Sequence, residues 1–339
     1  MSPIKRIFKL GMPWQTLDPF LFCVYHKDDY PKSNGHYGPA ASLEGRQIGQ
    51  DFQAKDGWNM YHGNKVPGFP AHPHRGFETI TVVNQGIVDH ADSNGAAGRY
   101  GGGDTQWMTA GKGLQHSEMF PLLNTDQSNP LVLFQIWINL PAKNKLVEPG
   151  FTMLWREDIP KVEVTDANNR VSRIQVVAGE YAGHRPPLPP KDSWASEEDN
   201  HVWLWNIKME AGASWQLPAS VDDLNRTLYF YHGEQALIEA ETILPSHGVV
   251  LISDKTVTIT AGNTPCEFIL MQGRPINEPV SQYGPFVMNT QQEIQDAFND
   301  YRRTQFGGWP WPSSEPVHEQ ADTRFARYTS DDMIKKDSL

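Results

Sequence analysis

The chain has 339 residues, a formal net charge of −11 at neutral pH and two cysteines. That length suits about two domains of roughly 100–200 residues each, enough to bury a core without a disulfide or metal staple, and the acidic balance argues against direct nucleic-acid binding, which sets a positive patch against phosphates. The start, MSPIKRIFKLGMPWQ, has no apolar stretch or small-residue cleavage site, no run approaches the roughly 18 apolar residues of a membrane span, and Cys23 and Cys266 form no CxxC pair, so a soluble cytoplasmic protein is expected.

Strand signals dominate in chain order. Apolar and β-branched runs recur between turn residues: PFLFCVY, FETITVV, DTQWMTA and LVLFQIWINL, then VSRIQVVAG, HVWLWNIKM, RTLYFYH, QALIEAE, GVVLIS, TVTITAG and EFILMQG. Short strands at this spacing predict an all-β protein of sandwiches or barrels. Residues 142–160, rich in proline and mixed charge, read as a linker between an N-terminal domain over 1–141 and a C-terminal domain over 161–306. Both halves share a loose rhythm of glycine turns, at Gly86 and Gly233 and at the TAG turns ending in Gly111 and Gly262, which suggests a duplicated β domain. A helix is predicted in TQQEIQDAFNDYRRTQF, where Ile294, Phe298 and Tyr301 share a face and Thr290 with Glu293 makes a capping box. Residues 307–339 read as a polar tail, partly disordered or laid over the surface.

The chemistry lies in two short pairs. His72 and His74 flank Pro73 in GFPAHPHRGFETITVVNQG, and His116 and Glu118 stand in GKGLQHSEMF. Alternate residues of a strand point to the same face, so each pair projects together. Pro73 cannot complete a ladder, which puts the first pair at a strand start or edge. If the two strands are neighbours in a small barrel, three imidazoles and one carboxylate converge. Mixed nitrogen and oxygen donors with open positions suit a first-row transition metal, zinc included. A single HxH or HxE is more often a polar strand edge; two such pairs in one half, each beside a glycine turn, favour the metal. Phe69, Phe77, Trp107, Met119, Phe134 and Trp137 are candidates for the pocket lining. Glu78 reads as an outer residue orienting a histidine N–H, or as a plain strand polar residue. His90 reads as a solvent-exposed loop histidine, and Gln115 by parity points away from the site. GGGDTQ fits neither common phosphate-loop pattern and reads as a turn.

GFPAHPHRGFET, GDTQWMTAGKGLQHSEM and GPFVMNTQQEI resemble the pirin family of the cupin superfamily, and the likeness runs from Leu17 to Phe306. The resemblance implies a bicupin: two cupin-type antiparallel β-barrels with a C-terminal helix, the first barrel holding iron on His72, His74, His116 and Glu118. It implies one metal per chain, because the second half has no HxH and His232 and His247 lack partners at that spacing. Residues 25–66 look like an insertion that could roof or narrow the pocket, and the tail is extended.

Two functions follow from the resemblance. One is an Fe(II) dioxygenase of the quercetin 2,3-dioxygenase kind, acting with dioxygen on a flavonol or catechol-like aromatic, with Glu118 as the catalytic base. The other is an iron-dependent, redox-responsive protein-binding regulator, whose protein partner takes the place of a substrate. A metal that only staples the barrel is the third, blander reading. Fe(II) is the expected metal; Mn, Ni, Cu and Zn accept the same ligands.

Overall fold

The computed structural model describes residues 2–319, 323–328 and 332–338. In chain order the strands are β1 (Ile4–Lys9), β2 (Phe20–Tyr30), β3 (Gly68–His74), β4 (Phe77–Gln85), β5 (Ile87–Asp92), β6 (Ala97–Gly101), β7 (Thr105–Thr109), β8 (Leu114–Met119), β9 (Asn129–Asn139) and β10 (Gly150–Leu154). There follow β11 (Lys161–Thr165), β12 (Val171–Ala178), β13 (Trp203–Met209), β14 (Ser214–Leu217), β15 (Asn225–His232), β16 (Ala236–Ile238), β17 (Glu241–Ile243), β18 (His247–Leu251), β19 (Val257–Ala261) and β20 (Cys266–Gly273). The hairpin β21 (Ser281–Tyr283) and β22 (Phe286–Met288) leads into helix α1 (Gln291–Thr304), and β23 (Thr323–Arg327) and β24 (Met333–Ser338) close the chain. The all-β expectation holds. No helix among the described residues is long and apolar enough to cross a membrane.

The chain divides into two compact units that do not follow the expected boundaries. One comprises residues 1–24 and 157–277, the other residues 25–156 and 278–339. Both ends of the chain are exchanged relative to the expected segments 1–141 and 161–306. The reason is pairing between residues far apart in sequence. β1 lies antiparallel to β18, Ile4 opposite Leu251, and so joins the later unit. α1 joins the earlier one: Arg75 Nη2 meets Asp300 Oδ2 at 2.5 Å, and Tyr301 donates to Gln115 Oε1 at 3.0 Å. The expected linker over 142–160 is also partly strand, because β10 pairs with β7 from Gly150↔Thr109 to Leu154↔Thr105.

The later unit packs a seven-stranded sheet, β1-β18-β15-β20-β13-β12-β11, on a four-stranded one, β14-β19-β16-β17. Ile174, Trp205, Ile207 and Leu228 from the first sheet meet Trp215, Ile238 and Ile259 from the second in one buried cluster.

The earlier unit, to which β2 belongs from residue 25 on, pairs a five-stranded sheet, β10-β7-β4-β9-β2, with a six-stranded one, β24-β23-β6-β5-β8-β3. β3 is an edge strand, as Pro73 requires. α1 begins with the predicted capping box at Thr290 and Glu293, and Ile294, Phe298 and Tyr301 pack on Phe286 and Met288. The expected polar tail contributes two strands. β23 pairs with β6, Phe325 opposite Arg99, and Arg324 reaches Asp104 at 2.7 Å, with both side chains buried. A charged segment is thus built into the sheet because its charges find buried partners.

Candidate metal centre

Two adjacent strands of the six-stranded sheet, β3 and β8, carry the site. His72 on β3 stands opposite His116 on β8, and His74 stands opposite Leu114. Paired residues share a sheet face, so the two motifs project into the same chamber. The turn between β3 and β4 fixes their approach. Gly76 has φ 85°, and a Cβ there would collide with the Val287 carbonyl, so only glycine fits.

The three imidazoles lie together, with one potential donor atom from each within 4.8 Å of the others. Ring centroids are 4.8 Å apart for His72–His74, 4.5 Å for His72–His116 and 5.0 Å for His74–His116. Modest side-chain rotation brings such a group onto one ion with bonds of about 2.1 Å. His72 Nδ1 lies 2.8 Å from the Pro70 carbonyl and His74 Nδ1 3.4 Å from that of Pro285. A carbonyl only accepts, so each Nδ1 carries the proton and each Nε2 keeps its lone pair. Burial holds all three rings neutral. It lowers His72 to about 4 and takes His74 and His116 well below their ordinary value. Neutral imidazoles are what a metal requires.

Glu118 lies beside the three imidazoles on the His116 side and is not one of the group drawn within 4.8 Å. Its Oε2 is 3.9 Å from His116 Nε2. Gln135 Nε2 donates to Oε2 at 2.8 Å, and Thr81 Oγ1 lies 2.9 Å from Oε1. Burial raises the carboxyl, and these two hydrogen bonds oppose the rise. Thr81 Oγ1 is also 2.6 Å from Gln135 Oε1. A hydroxyl has one proton to give, and a charged Glu118 is the stronger acceptor.

Both nitrogens of His116 are buried without a hydrogen-bond partner. An imidazole left bare in this way is costly unless something else occupies it. Three nitrogens gathered together, with a carboxylate oxygen beside one of them, fit a first-row transition metal.

The family model for pirin matches residues 5–138, and that for the pirin C-terminal cupin domain matches residues 204–307. A pirin-like protein of Solanum lycopersicum is 37% identical, covering 69% of this chain and 75% of its own length. The chain belongs to the pirin family. A Pseudomonas aeruginosa relative named "Putative quercetin 2,3-dioxygenase" is 35% identical over 90% of this chain and 92% of its own. The crystal structure of quercetin 2,3-dioxygenase from Acinetobacter baumannii superposes with a TM-score of 0.71 at 24% identity, covering 91% of this chain and 99% of that one, and supports the shared cupin fold.

Within this pirin frame the expected lining residues separate by strand face. Thr81 on β4 stands opposite Gln135 on β9 and Gln106 on β7. By alternation Phe77 lies on the face of Thr81, whereas Glu78 lies on the other face, with Trp107 and Phe134. Phe77 and Trp137 accordingly reach His74, at ring separations of 5.0 and 5.4 Å, and Phe69 lies 6.4 Å from His72. Trp107 and Phe134 face away from the chamber. So does Met119, which has the opposite parity to His116 and Glu118 on β8. Glu78 accepts from Trp107 Nε1 at 3.1 Å and Thr109 Oγ1 at 2.6 Å, ties that join β4 to β7, and a histidine is neither of these partners. His90 is fully buried on β5, not exposed in a loop. Gln115 does point away, donating to the Gln305 and Gly308 carbonyls.

Thr81 and Gln135 are the site residues that motif reading misses. Their only trace in the sequence is a polar residue inside each apolar run, FETITVV and LVLFQIWINL. The segment over 25–66 borders the site through an aromatic cluster. Tyr61 stacks on Phe69 at 5.1 Å, and Phe52 contacts both Tyr61 and His62. Arg46 organises the loop, donating to Asp51 and to the carbonyls of Lys55 and Trp58 while lying 3.3 Å over the Trp58 ring.

Proposed function

We propose that this pirin is an iron-dependent dioxygenase acting on a flavonol or catechol-like aromatic, with His72, His74, His116 and Glu118 holding the metal. The observation that carries the reading is the gathering of three buried, neutral imidazoles on one chamber beside a carboxylate. When bound, the metal supplies Lewis acidity and a template for two adjacent substrate oxygens.

The chain's own residues provide the rest. Glu118 has a raised affinity for a proton and fixed hydrogen bonds to both oxygens, so it suits the base that accepts the substrate's hydroxyl proton. Phe69 beside His72, with Tyr61 stacked on it, offers a flat apolar wall to a planar ring. Phe77 and Trp137 close against His74 and shield that imidazole from water. The name of the Pseudomonas relative favours turnover over a purely protein-binding role.

The test is elemental analysis of freshly purified protein, then oxygen uptake and carbon monoxide release with quercetin and a panel of catechols. The expected result is one dioxygen consumed and one carbon monoxide released per flavonol cleaved. Fully iron-loaded protein without turnover on any member of the panel would overturn the enzymatic reading.

A further inference from the structure

The chamber has a third pair that neither motif announces. His90 and Asp92 on β5 have the same alternate spacing as the other two pairs, and β5 lies beside β8. The register sets His90 opposite Glu118 and Asp92 opposite His116. Three neighbouring strands therefore each present two polar residues to one face.

The hydrogen bonds of these groups leave a matched pair of vacancies. His72 and His74 have carbonyls at Nδ1, whereas His116 has a protein partner at neither nitrogen. A histidine that ligates a metal almost always donates its other N–H, a contact that fixes its tautomer and orientation. His90 is buried beside it, with ring centroids 5.7 Å apart. His90 Nε2 lies 3.4 Å from Asp92 Oδ2. A carboxylate accepts only, so Nε2 carries the proton and Nδ1 is a bare acceptor. That Nδ1 is buried and also lacks a protein partner. One ring needs an acceptor and the adjacent ring has one to offer. A linear N–H···N bond of about 3 Å would put two imidazole centroids about 5 Å apart. The observed separation is within a small side-chain rotation of that.

Resting on the metal site proposed above, we infer that His90 is the positioning residue for His116: fixed by Asp92, its Nδ1 accepts the N–H of His116 that the metal leaves free. The arrangement is a relay from carboxylate to imidazole to ligating imidazole. It sets the orientation and basicity of the third ligand, as the backbone carbonyls do for the other two.

The test uses the full-length protein loaded with Co(II), read by proton NMR and chelator competition. Wild type should show three hyperfine-shifted, exchangeable imidazole N–H resonances, one from each ligating histidine. His90→Ala should lose one of the three to solvent exchange, and its Co(II) affinity should fall about tenfold. His90→Gln, whose amide oxygen can accept, should recover most of that loss. Should His90→Ala not fold, Asp92→Asn serves instead. It sets an amide N–H against Nε2, drives the His90 proton to Nδ1 and turns the acceptor into a donor, so the same resonance should be lost. Three protected resonances and an affinity within twofold of wild type in these variants would overturn the inference while leaving the metal site standing. A wild type that binds no Co(II) would overturn both.

Discussion

Thr81 Oγ1 lies 2.9 Å from Glu118 Oε1, so a residue of the five-stranded sheet fixes a carboxylate of the six-stranded one. Replacing it with valine keeps the shape and removes the donor. Thr81→Val should weaken metal binding about tenfold, because the contact that orients the proposed ligand Glu118 is lost. Chelator competition measures this directly, and an unchanged affinity would show that Gln135 alone holds the carboxylate.

The division of faces on β4, β7 and β9 makes a second prediction. His74→Ala and His116→Ala should bring the metal content to background by elemental analysis. Phe134→Leu, on the opposite face, should retain full metal and turnover, with a stability loss of about 1 kcal/mol from imperfect packing. Loss of metal in the Phe134 variant would contradict the assignment of faces.

A third prediction concerns pH. His26 Nδ1 is 2.8 Å from Tyr61 Oη, which donates to Asp28 Oδ2 at 2.6 Å. Burial lowers His26 to about 4 and raises Asp28 to about 6. The folded state prefers a neutral His26, so this contribution is intact above its ordinary 6.5 and is lost as pH falls towards 4. Asp28 works in the other direction. Its folded form binds a proton more tightly, so its contribution is full below 3.8 and fades as pH rises through about 6. His26→Gln removes the first effect and leaves the second. Between pH 6.5 and 4, metal-free wild type should lose about 3 kcal/mol more than this variant. Urea unfolding across that range reads the difference; parallel curves would mean that His26 does not titrate in this window.

The C-terminal strands give the fourth. Arg324 and Asp104 are buried together at 2.7 Å, and Asp104 also accepts from the Gly101 and Arg156 amides. Arg324→Met leaves the carboxylate buried without its cation and should cost about 3 kcal/mol in chemical denaturation. The double variant Arg324→Met with Asp104→Asn should recover part of that loss. A single variant as stable as wild type would show that the tail only covers the sheet.

The sequence shows the site far better than its surroundings. The gathering of His72, His74 and His116, with Glu118 beside His116, is readable because spacing within one strand survives folding unchanged. The phase between strands does not follow from spacing. It depends on the turn at Gly76 and on register, which turn the candidate lining residues Trp107 and Phe134 away from the chamber. His90 was obscured by its own neighbourhood: Asp92, Asn94 and Gly95 signal a turn, and the strand before it is only six residues long. The exchange of chain ends between the units was invisible because it rests on pairings such as Ile4↔Leu251, for which no local pattern speaks.

The Pro285 carbonyl that faces His74 Nδ1 has a consequence for biosynthesis. A ribosome delivers the imidazoles early, but it must translate all of residues 157–277 before this oxygen exists. A nascent chain therefore carries the ligands long before it can orient one of them. Messages truncated upstream of codon 285 would yield a product with all four proposed donors present and no acceptor for His74 Nδ1.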